Sequence, residues 1–205
     1  MYIIGITGGT GAGKSSAVQA LQTLGALALD CDEIYHQLLI SCPDMRDEIE
    51  ARFGDVTTEG KIDRRKLGEI VWNDPASLHE LNTITHKYIS KEIGRRLGLF
   101  KAQAGTLAVI DAIALLESGQ GSRCDIVVGI TAPYEKRISR IMDRDDLTRE
   151  RVLKRINAQQ PESYYIENCD YILENKYDTQ AEFEEKCIKF FSTLLQKQNI
   201  QLFMY

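Results

Sequence analysis

The sequence predicts an α/β fold in which a parallel five-stranded sheet is flanked by helices. Short apolar runs alternate with amphipathic stretches along all 205 residues, and 43% of these are apolar, enough for one domain with a core. The runs are rich in β-branched residues without strict alternation, as expected when both faces of a sheet are covered. The predicted strands are Tyr2–Ile6, Ala26–Leu29, Leu107–Ile110, Ile126–Ile130 and Tyr171–Leu173.

Helical periodicity fills the intervals between these strands and divides the single predicted domain, residues 1–205, into three parts. The core is expected at 1–40, 105–132 and 169–205. Residues from about 41 to 104 are too many for one crossover and are predicted to form a helical insertion that covers a ligand. Residues from about 133 to 168 form a second insertion, dense in arginine. The predicted helices are Lys14–Leu24, Asp32–Leu39, Arg64–Trp72, Ala76–Phe100, Tyr134–Asp143, Arg149–Gln160 and Gln180–Gln198.

Composition excludes several classes of partner. The net charge of −5 gives no general attraction to nucleic acid or to anionic membranes, and no apolar run approaches the length of a membrane span. The five cysteines are odd in number and form no CxxC pair, so neither a disulfide framework nor a zinc site is indicated. We therefore expect a cytoplasmic protein that binds neither nucleic acid nor membrane. The sequence gives no indication of its oligomeric state.

A phosphate-binding loop follows the first predicted strand and opens the first predicted helix. The pattern G-x-x-x-x-G-K-[ST] is matched in full, in the flanking context that the motif requires. Backbone N–H groups of such a loop hold nucleotide phosphates, Lys14 can reach the β- and γ-phosphates, and the Ser15 hydroxyl can bind Mg²⁺. The alternative is an ordinary glycine turn before a helix. The residues predicted to contact the nucleotide here are Gly8, Gly11, Ala12, Gly13, Lys14, Ser15 and Ser16.

Two carboxylates, Asp30 and Asp32, follow the second predicted strand. If the backbone is extended there, they point to one side and Cys31 points to the other, into the packed interior. We expect Asp30 to help hold hydrated Mg²⁺ and Asp32 to accept a proton from an attacking hydroxyl. The alternative is that Asp32 caps the following helix, a role compatible with catalysis.

Asp111 ends the third predicted strand and resembles the acidic residue that supports Mg²⁺ in nucleotide-binding proteins. The alternative is an ordinary acidic residue at a strand end.

A run of basic residues occupies the second insertion, although the chain is acidic overall. A lid that clamps the charge of a triphosphate explains this concentration, and the alternative is a solvated helix face. We expect Arg144 to act on charge in the transition state and Arg140 to contact the nucleotide, and only some of the others to touch ligand. The run comprises Lys136, Arg137, Arg140, Arg144, Arg149, Arg151, Lys154 and Arg155.

These features together resemble the dephospho-coenzyme A kinase family over nearly the whole chain. The segments that carry the resemblance are the opening Gly5–Ser15, the triplet Asp30–Asp32, the segment Leu81–His86, the stretch Asp111–Gly119, the pair Arg144–Asp145 with Arg155–Gln159, and Cys169–Asn175. The family pattern often has proline where Lys87 stands, and it places a histidine at the end of the Leu81–His86 helix. A lone helix histidine such as His86 is otherwise usually structural.

The resemblance implies a P-loop kinase fold with a helical acceptor-binding domain and a lid. It implies transfer of the γ-phosphate of ATP, with Mg²⁺, to the ribose 3′-hydroxyl of dephospho-CoA. It assigns Asp32 as the base, places Asn175 and the loop after it near the adenine, and makes His86 and Glu117 candidate acceptor contacts.

Three other functions are compatible with a P-loop. A GTPase is suggested by Asn175-Lys176-Tyr177-Asp178, which matches N-K-x-D, but no aspartate in the chain has a glycine three residues later, as D-x-x-G requires. A kinase for nucleosides or nucleotides would share the fold and differ in its acceptor pocket. A regulator that only binds ATP is the third alternative, and it is disfavoured because Asp32 would then have no proton-accepting role.

Overall fold

The computed structural model, which describes residues 1–58, 60–72 and 74–200, confirms the predicted fold class. Its described residues contain a five-stranded parallel sheet. The strands are β1 (Tyr2–Thr7), β2 (Leu27–Asp30), β5 (Leu107–Asp111), β6 (Ile126–Thr131) and β7 (Tyr171–Glu174), and they lie in the order β2-β5-β1-β6-β7. Each extends a predicted strand by about one residue at its carboxyl end, the edge from which the functional loops leave.

Strand β1 lies at the centre of the sheet and leads into the phosphate-binding loop. It pairs with β5 in a register that sets Ile6 opposite Asp111, and with β6 in one that sets Thr7 opposite Gly129. Ile4 and Ile6 are fully buried in the main core, to which α1 (Lys14–Thr23) and α9 (Gln180–Lys197) contribute one face. The loop therefore leaves from the central strand of the sheet.

The chain separates into two compact units, one formed by Met1–Leu29 with the chain from Phe100 onward, and one by Asp30–Leu99. The first unit contains the sheet, α1, α9 and the arginine-rich segment. That segment folds as α6 (Tyr134–Asp145), α7 (Arg149–Asn157) and α8 (Glu162–Asn168). A small apolar cluster holds α6 and α7 together, and it consists of Ile138, Ile141, Val152 and Ile156.

The second unit is helical apart from one short hairpin. Its elements are α2 (Cys31–Ser41), α3 (Pro43–Phe53), β3 (Thr57–Thr58), β4 (Lys61–Ile62), α4 (Arg64–Val71) and all but the last residues of α5 (Pro75–Ala102). It has its own core, in which Met45, Ile49 and Val56 are fully buried. The sequence did not separate α3 and α8 as helices. Pro43 occupies the first position of α3 and Pro161 caps α8, positions that tolerate the missing N–H.

The backbone is not extended through Asp30, Cys31 and Asp32, so the condition on which the two aspartates would point to one side is not met. The strand ends at Asp30 and the helix begins at Cys31, one residue earlier than expected. Cys31 is 7% exposed, so its side chain is in the interior as predicted, but by helical rather than by strand geometry. No helix in the described part of the chain is long and apolar enough to cross a membrane.

Candidate active site

The phosphate-binding loop turns sharply at glycines that no other residue could replace without strain. Gly8, Gly11 and Gly13 have φ angles of 139°, 78° and 105°. A Cβ atom on Gly8 would overlap the carbonyl oxygen of Ile130 on the neighbouring strand. The loop is closed by a 3.2 Å hydrogen bond from the Ala12 N–H to the Gly9 carbonyl, and α1 then begins at Lys14. The loop thus presents a helix amino terminus, which attracts anions.

The ammonium group of Lys14 donates a 3.1 Å hydrogen bond to the carbonyl oxygen of Gly8, so its side chain folds back over the loop. Ser15 is exposed on the first turn of α1, and Ser16 behind it is buried. The Lys14 amine and the Ser15 hydroxyl, predicted to bind the phosphates and Mg²⁺, therefore both lie at the amino terminus of α1, directly after the loop.

Arg140 and Asn175 hold the outer side of the loop. Asn175 is buried and donates a 3.0 Å hydrogen bond to the Ala12 carbonyl, and Arg140 donates one of 3.3 Å to the Gly11 carbonyl. Arg140 also donates to the Asn175 side-chain oxygen at 3.1 Å and to the Tyr177 carbonyl at 2.8 Å. Burial lowers the pKa of Arg140. Both predicted nucleotide residues thus contact the loop that is predicted to hold the phosphates.

Arg144 lies further along α6 and is exposed. Its guanidinium forms two hydrogen bonds, of 2.7 and 2.9 Å, with the carboxylate of Asp145. Arg155 donates to the same carboxylate at 2.6 Å. The hydrogen bond from Arg144 is the largest cause of a pKa of about 2 for Asp145. One carboxylate therefore holds two cations of the arginine-rich segment side by side.

Asp111 and Ser15 offer oxygen ligands of the kind that Mg²⁺ prefers. Asp111 is the last residue of β5 and lies opposite Ile6 of β1. Ile6 is two positions before Gly8, where the phosphate-binding loop begins. The Ala112 N–H donates to the Ile6 carbonyl and the Thr7 hydroxyl donates to the Ile113 carbonyl, so the ends of β1 and β5 stay side by side. The carboxylate of Asp111, at the end of β5, and the hydroxyl of Ser15, on the first turn of α1, are oxygen donors of the kind that suits Mg²⁺.

Within the second unit, Asp30 and Asp32 have different environments. The Oδ1 atom of Asp30 accepts hydrogen bonds from the Asp32 N–H at 2.8 Å and the Glu33 N–H at 3.0 Å, so Asp30 caps α2. The alternative assignment of the cap to Asp32 is therefore wrong. Asp32 is exposed on the first turn, and in the described part of the chain its carboxylate makes no hydrogen bond or ion pair.

His86 lies in the middle of α5, which continues for four turns beyond it, so the helix does not end at this histidine. Lys87, in place of the family's common proline, keeps the backbone N–H that an unbroken helix needs. His86 is half-buried, and that burial lowers its pKa.

Glu117 is exposed in the turn after β5, within the first unit. Burial and, second to it, the charge of Glu117 raise the pKa of Tyr165 to about 12. Glu117 is thus electrostatically linked to α8 of the arginine-rich segment.

Sequence reasoning treated Arg137 as one of several lid arginines and assigned no role to Gln159. In the structure both side chains bond to Thr10 of the phosphate-binding loop. The spacing of Arg137 and Arg140 on one helix face was the available signal, but it did not indicate that this face meets the loop.

Comparison with known proteins gives one consistent family. The model of the family described as dephospho-CoA kinase matches residues 2–181. A dephospho-CoA kinase of Latilactobacillus sakei is 34% identical over 85% of this chain and 87% of its own. A solved structure, TT1252 from Thermus thermophilus, is 30% identical with a TM-score of 0.80, covering 95% of this chain and 97% of that one. The dephospho-CoA kinase from Campylobacter jejuni is 26% identical with a TM-score of 0.68, covering 96% and 98%.

Proposed function

The chain belongs to the dephospho-CoA kinase family, and from this we propose that it transfers the γ-phosphate of ATP to the ribose 3′-hydroxyl of dephospho-CoA. The family makes it a kinase, a phosphotransferase of coenzyme A synthesis. The observation that best supports a nucleotide site is the glycine loop itself. On its outer side, Arg140 donates a hydrogen bond to the Gly11 carbonyl and Asn175 donates one to the Ala12 carbonyl.

The nucleotide phosphates are proposed to lie against the N–H groups at the start of α1. In a trans peptide the C=O of one residue and the N–H of the next point in opposite directions. Asn175 holds the Ala12 carbonyl outward, which turns the Gly13 N–H toward the inner side of the loop. Lys14, now bonded to the Gly8 carbonyl, is then proposed to move its ammonium group to the β- and γ-phosphates.

Mg²⁺ is proposed to be held by the Ser15 hydroxyl and the Asp111 carboxylate, with Asp30 acting through a coordinated water. When bound, the ion neutralises charge on the phosphate oxygens. The capping bonds of Asp30 occupy one of its oxygens, so its part in metal binding is proposed as secondary to that of Asp111.

Asp32 is proposed as the base that takes the proton of the 3′-hydroxyl. Its carboxylate is exposed and carries no hydrogen bond within the described chain, so it is available to a substrate hydroxyl. The transition state of phosphoryl transfer is loose, so proton removal is late and positioning matters more than basicity. The rigid cap that Asp30 provides fixes the helix turn on which Asp32 is carried.

The remaining predicted residues complete the proposal. His86 and Glu117 are proposed to contact dephospho-CoA, and Arg144 to stabilise charge on the transferring phosphoryl group. The insertion predicted at about residues 41–104 is proposed to bind the acceptor, and residues from about 133 to 168 are proposed to act as the lid. A cytoplasmic location stays a prediction.

A coupled ADP-release assay tests this function by comparing acceptors and donors. Turnover with ATP is expected to need dephospho-CoA, and adenosine or AMP in its place should give only background. Preference for a nucleoside acceptor would favour another small-molecule kinase. GTP-dependent release without any acceptor would favour a GTPase, and ATP binding without acceptor-dependent turnover would favour a regulator.

A further inference from the structure

We propose that Arg137 and Gln159 are positioning residues that fix the tip of the phosphate-binding loop through Thr10, and so prepare it for phosphate. This deepens the proposed function and rests on it, since it takes the loop to be the phosphate site. Both residues come from the arginine-rich segment, Arg137 from α6 and Gln159 from the turn that follows α7. The two side chains that hold Thr10 are here called the Thr10 clasp.

Arg137 is buried against the loop rather than directed at solvent. It is 7% exposed, and its Nε atom donates a 2.9 Å hydrogen bond to the Thr10 carbonyl. A Cβ atom on Gly9 would overlap the guanidinium, so the absence of a side chain at Gly9 is what lets Arg137 approach. Among the described residues Arg137 forms no ion pair with a carboxylate, and burial lowers its pKa.

A buried guanidinium loses its hydration, and a carboxylate partner is the common compensation. Arg137 instead donates hydrogen bonds to the Thr10 carbonyl and, at 3.5 Å, to the side-chain oxygen of Gln159. In this arrangement the Arg137 guanidinium is engaged with the loop backbone and with the Gln159 amide. Arg137 therefore differs in role from Arg144, which is exposed and lies further along the same helix.

Gln159 completes the clasp by using both ends of its amide. Its Oε1 accepts the Thr10 N–H at 2.9 Å, and its Nε2 donates to the Thr10 hydroxyl at 2.5 Å. Thr10 is 4% exposed, and its N–H, carbonyl and hydroxyl are all bonded to the clasp. A single loop residue is thus held at three points by two side chains.

The clasp fixes the peptide planes on both sides of Thr10. Because the Thr10 carbonyl is held toward Arg137, the N–H of Gly11 in the same trans peptide points to the opposite side. Asn175 has the same effect on the Gly13 N–H two residues later. The loop is therefore preorganised by side chains outside it, which reduces the ordering cost when phosphate binds.

Calorimetric titration of the full chain with magnesium tripolyphosphate tests the inference, because this probe carries phosphates but no base or ribose. We expect Arg137→Met and Gln159→Met to bind it about tenfold more weakly than the wild type, the size of effect expected from losing hydrogen bonds of this kind. Arg137→Lys, which keeps the charge on a single donor nitrogen, should recover part of the affinity. Gln160→Met is the matched control, because Gln160 is the exposed neighbour of Gln159.

Steady-state kinetics separate positioning from simple destabilisation. The variants should raise the KM for ATP by about the same factor as the loss of tripolyphosphate affinity, with the KM for dephospho-CoA unchanged. Unchanged affinity in folded Arg137→Met and Gln159→Met proteins would overturn the inference, as would an equal loss in Gln160→Met. Failure of the wild type to bind tripolyphosphate would instead overturn the proposed phosphate site itself.

Discussion

The Oδ1 atom of Asp30 accepts the backbone N–H of Asp32 at 2.8 Å, so one of two neighbouring carboxylates holds the helix turn that carries the other. The same oxygen accepts the Glu33 N–H at 3.0 Å. The two aspartates therefore divide their work, and substitution should separate a structural effect at Asp30 from a chemical effect at Asp32.

Asp30→Ala is expected to lower the free energy of unfolding by about 1 kcal/mol, because two N–H groups of α2 lose their capping acceptor. Urea denaturation followed by circular dichroism measures the change. Asp30→Asn should keep most of the stability, since asparagine also caps helices, and should raise the Mg²⁺ concentration needed for activity if the charge matters. Equal stability of Asp30→Ala and the wild type would contradict the capping role.

Asp32→Asn is expected to lower kcat by about 10² to 10⁴, the usual loss when a general base is removed, with ATP affinity little changed. Its stability should match that of the wild type, because the Asp32 side chain is exposed and carries no hydrogen bond in the described chain. Single-turnover kinetics with dephospho-CoA give the chemical step directly. Normal turnover, or rescue by added Mg²⁺, would remove Asp32 as the base.

Lys14→Met is expected to reduce phosphoryl transfer nearly to background while leaving the fold intact. The substitution keeps an unbranched side chain but removes the cation assigned to the β- and γ-phosphates. Lys186→Met, at an exposed position of α9, is the control for loss of a lysine. A folded Lys14→Met protein with near-normal kcat would mean that the assigned role of the loop is wrong.

The fold class could be predicted because the spacing of apolar residues that distinguishes strands from helices is visible within short stretches of sequence. The phosphate-binding loop was equally clear, since its glycines are fixed by backbone angles such as the φ of 105° at Gly13. The Asp30 cap was misassigned because one residue decides where strand becomes helix, and such boundaries depend on competing hydrogen bonds. The Thr10 clasp could not be predicted, since Arg137 and Gln159 are 127 and 149 residues from Thr10 along the chain.

Acid should destabilise the protein through two carboxylates held by arginines. Glu92, bonded to Arg95 and Arg96, has its pKa lowered from 4.5 to about 2, and that of Asp145 is lowered from 3.8 to about 2. Since the unfolded chain binds protons at higher pH than the folded one, stability is complete above about pH 5 and falls progressively toward pH 2. Denaturation at several pH values should show a shallower fall for Glu92→Gln. An identical pH profile for the two proteins would contradict this origin.

The measurement that tests the central claim most directly is phosphoryl transfer from ATP to two analogues of dephospho-CoA, one lacking the ribose 2′-hydroxyl and one lacking the 3′-hydroxyl. We predict that the 2′-deoxy analogue is phosphorylated, with ³¹P NMR placing the new phosphate at the 3′ position, and that the 3′-deoxy analogue yields no phosphorylated product. Phosphorylation of the 3′-deoxy analogue, or ADP release with no acceptor present, would contradict the assignment.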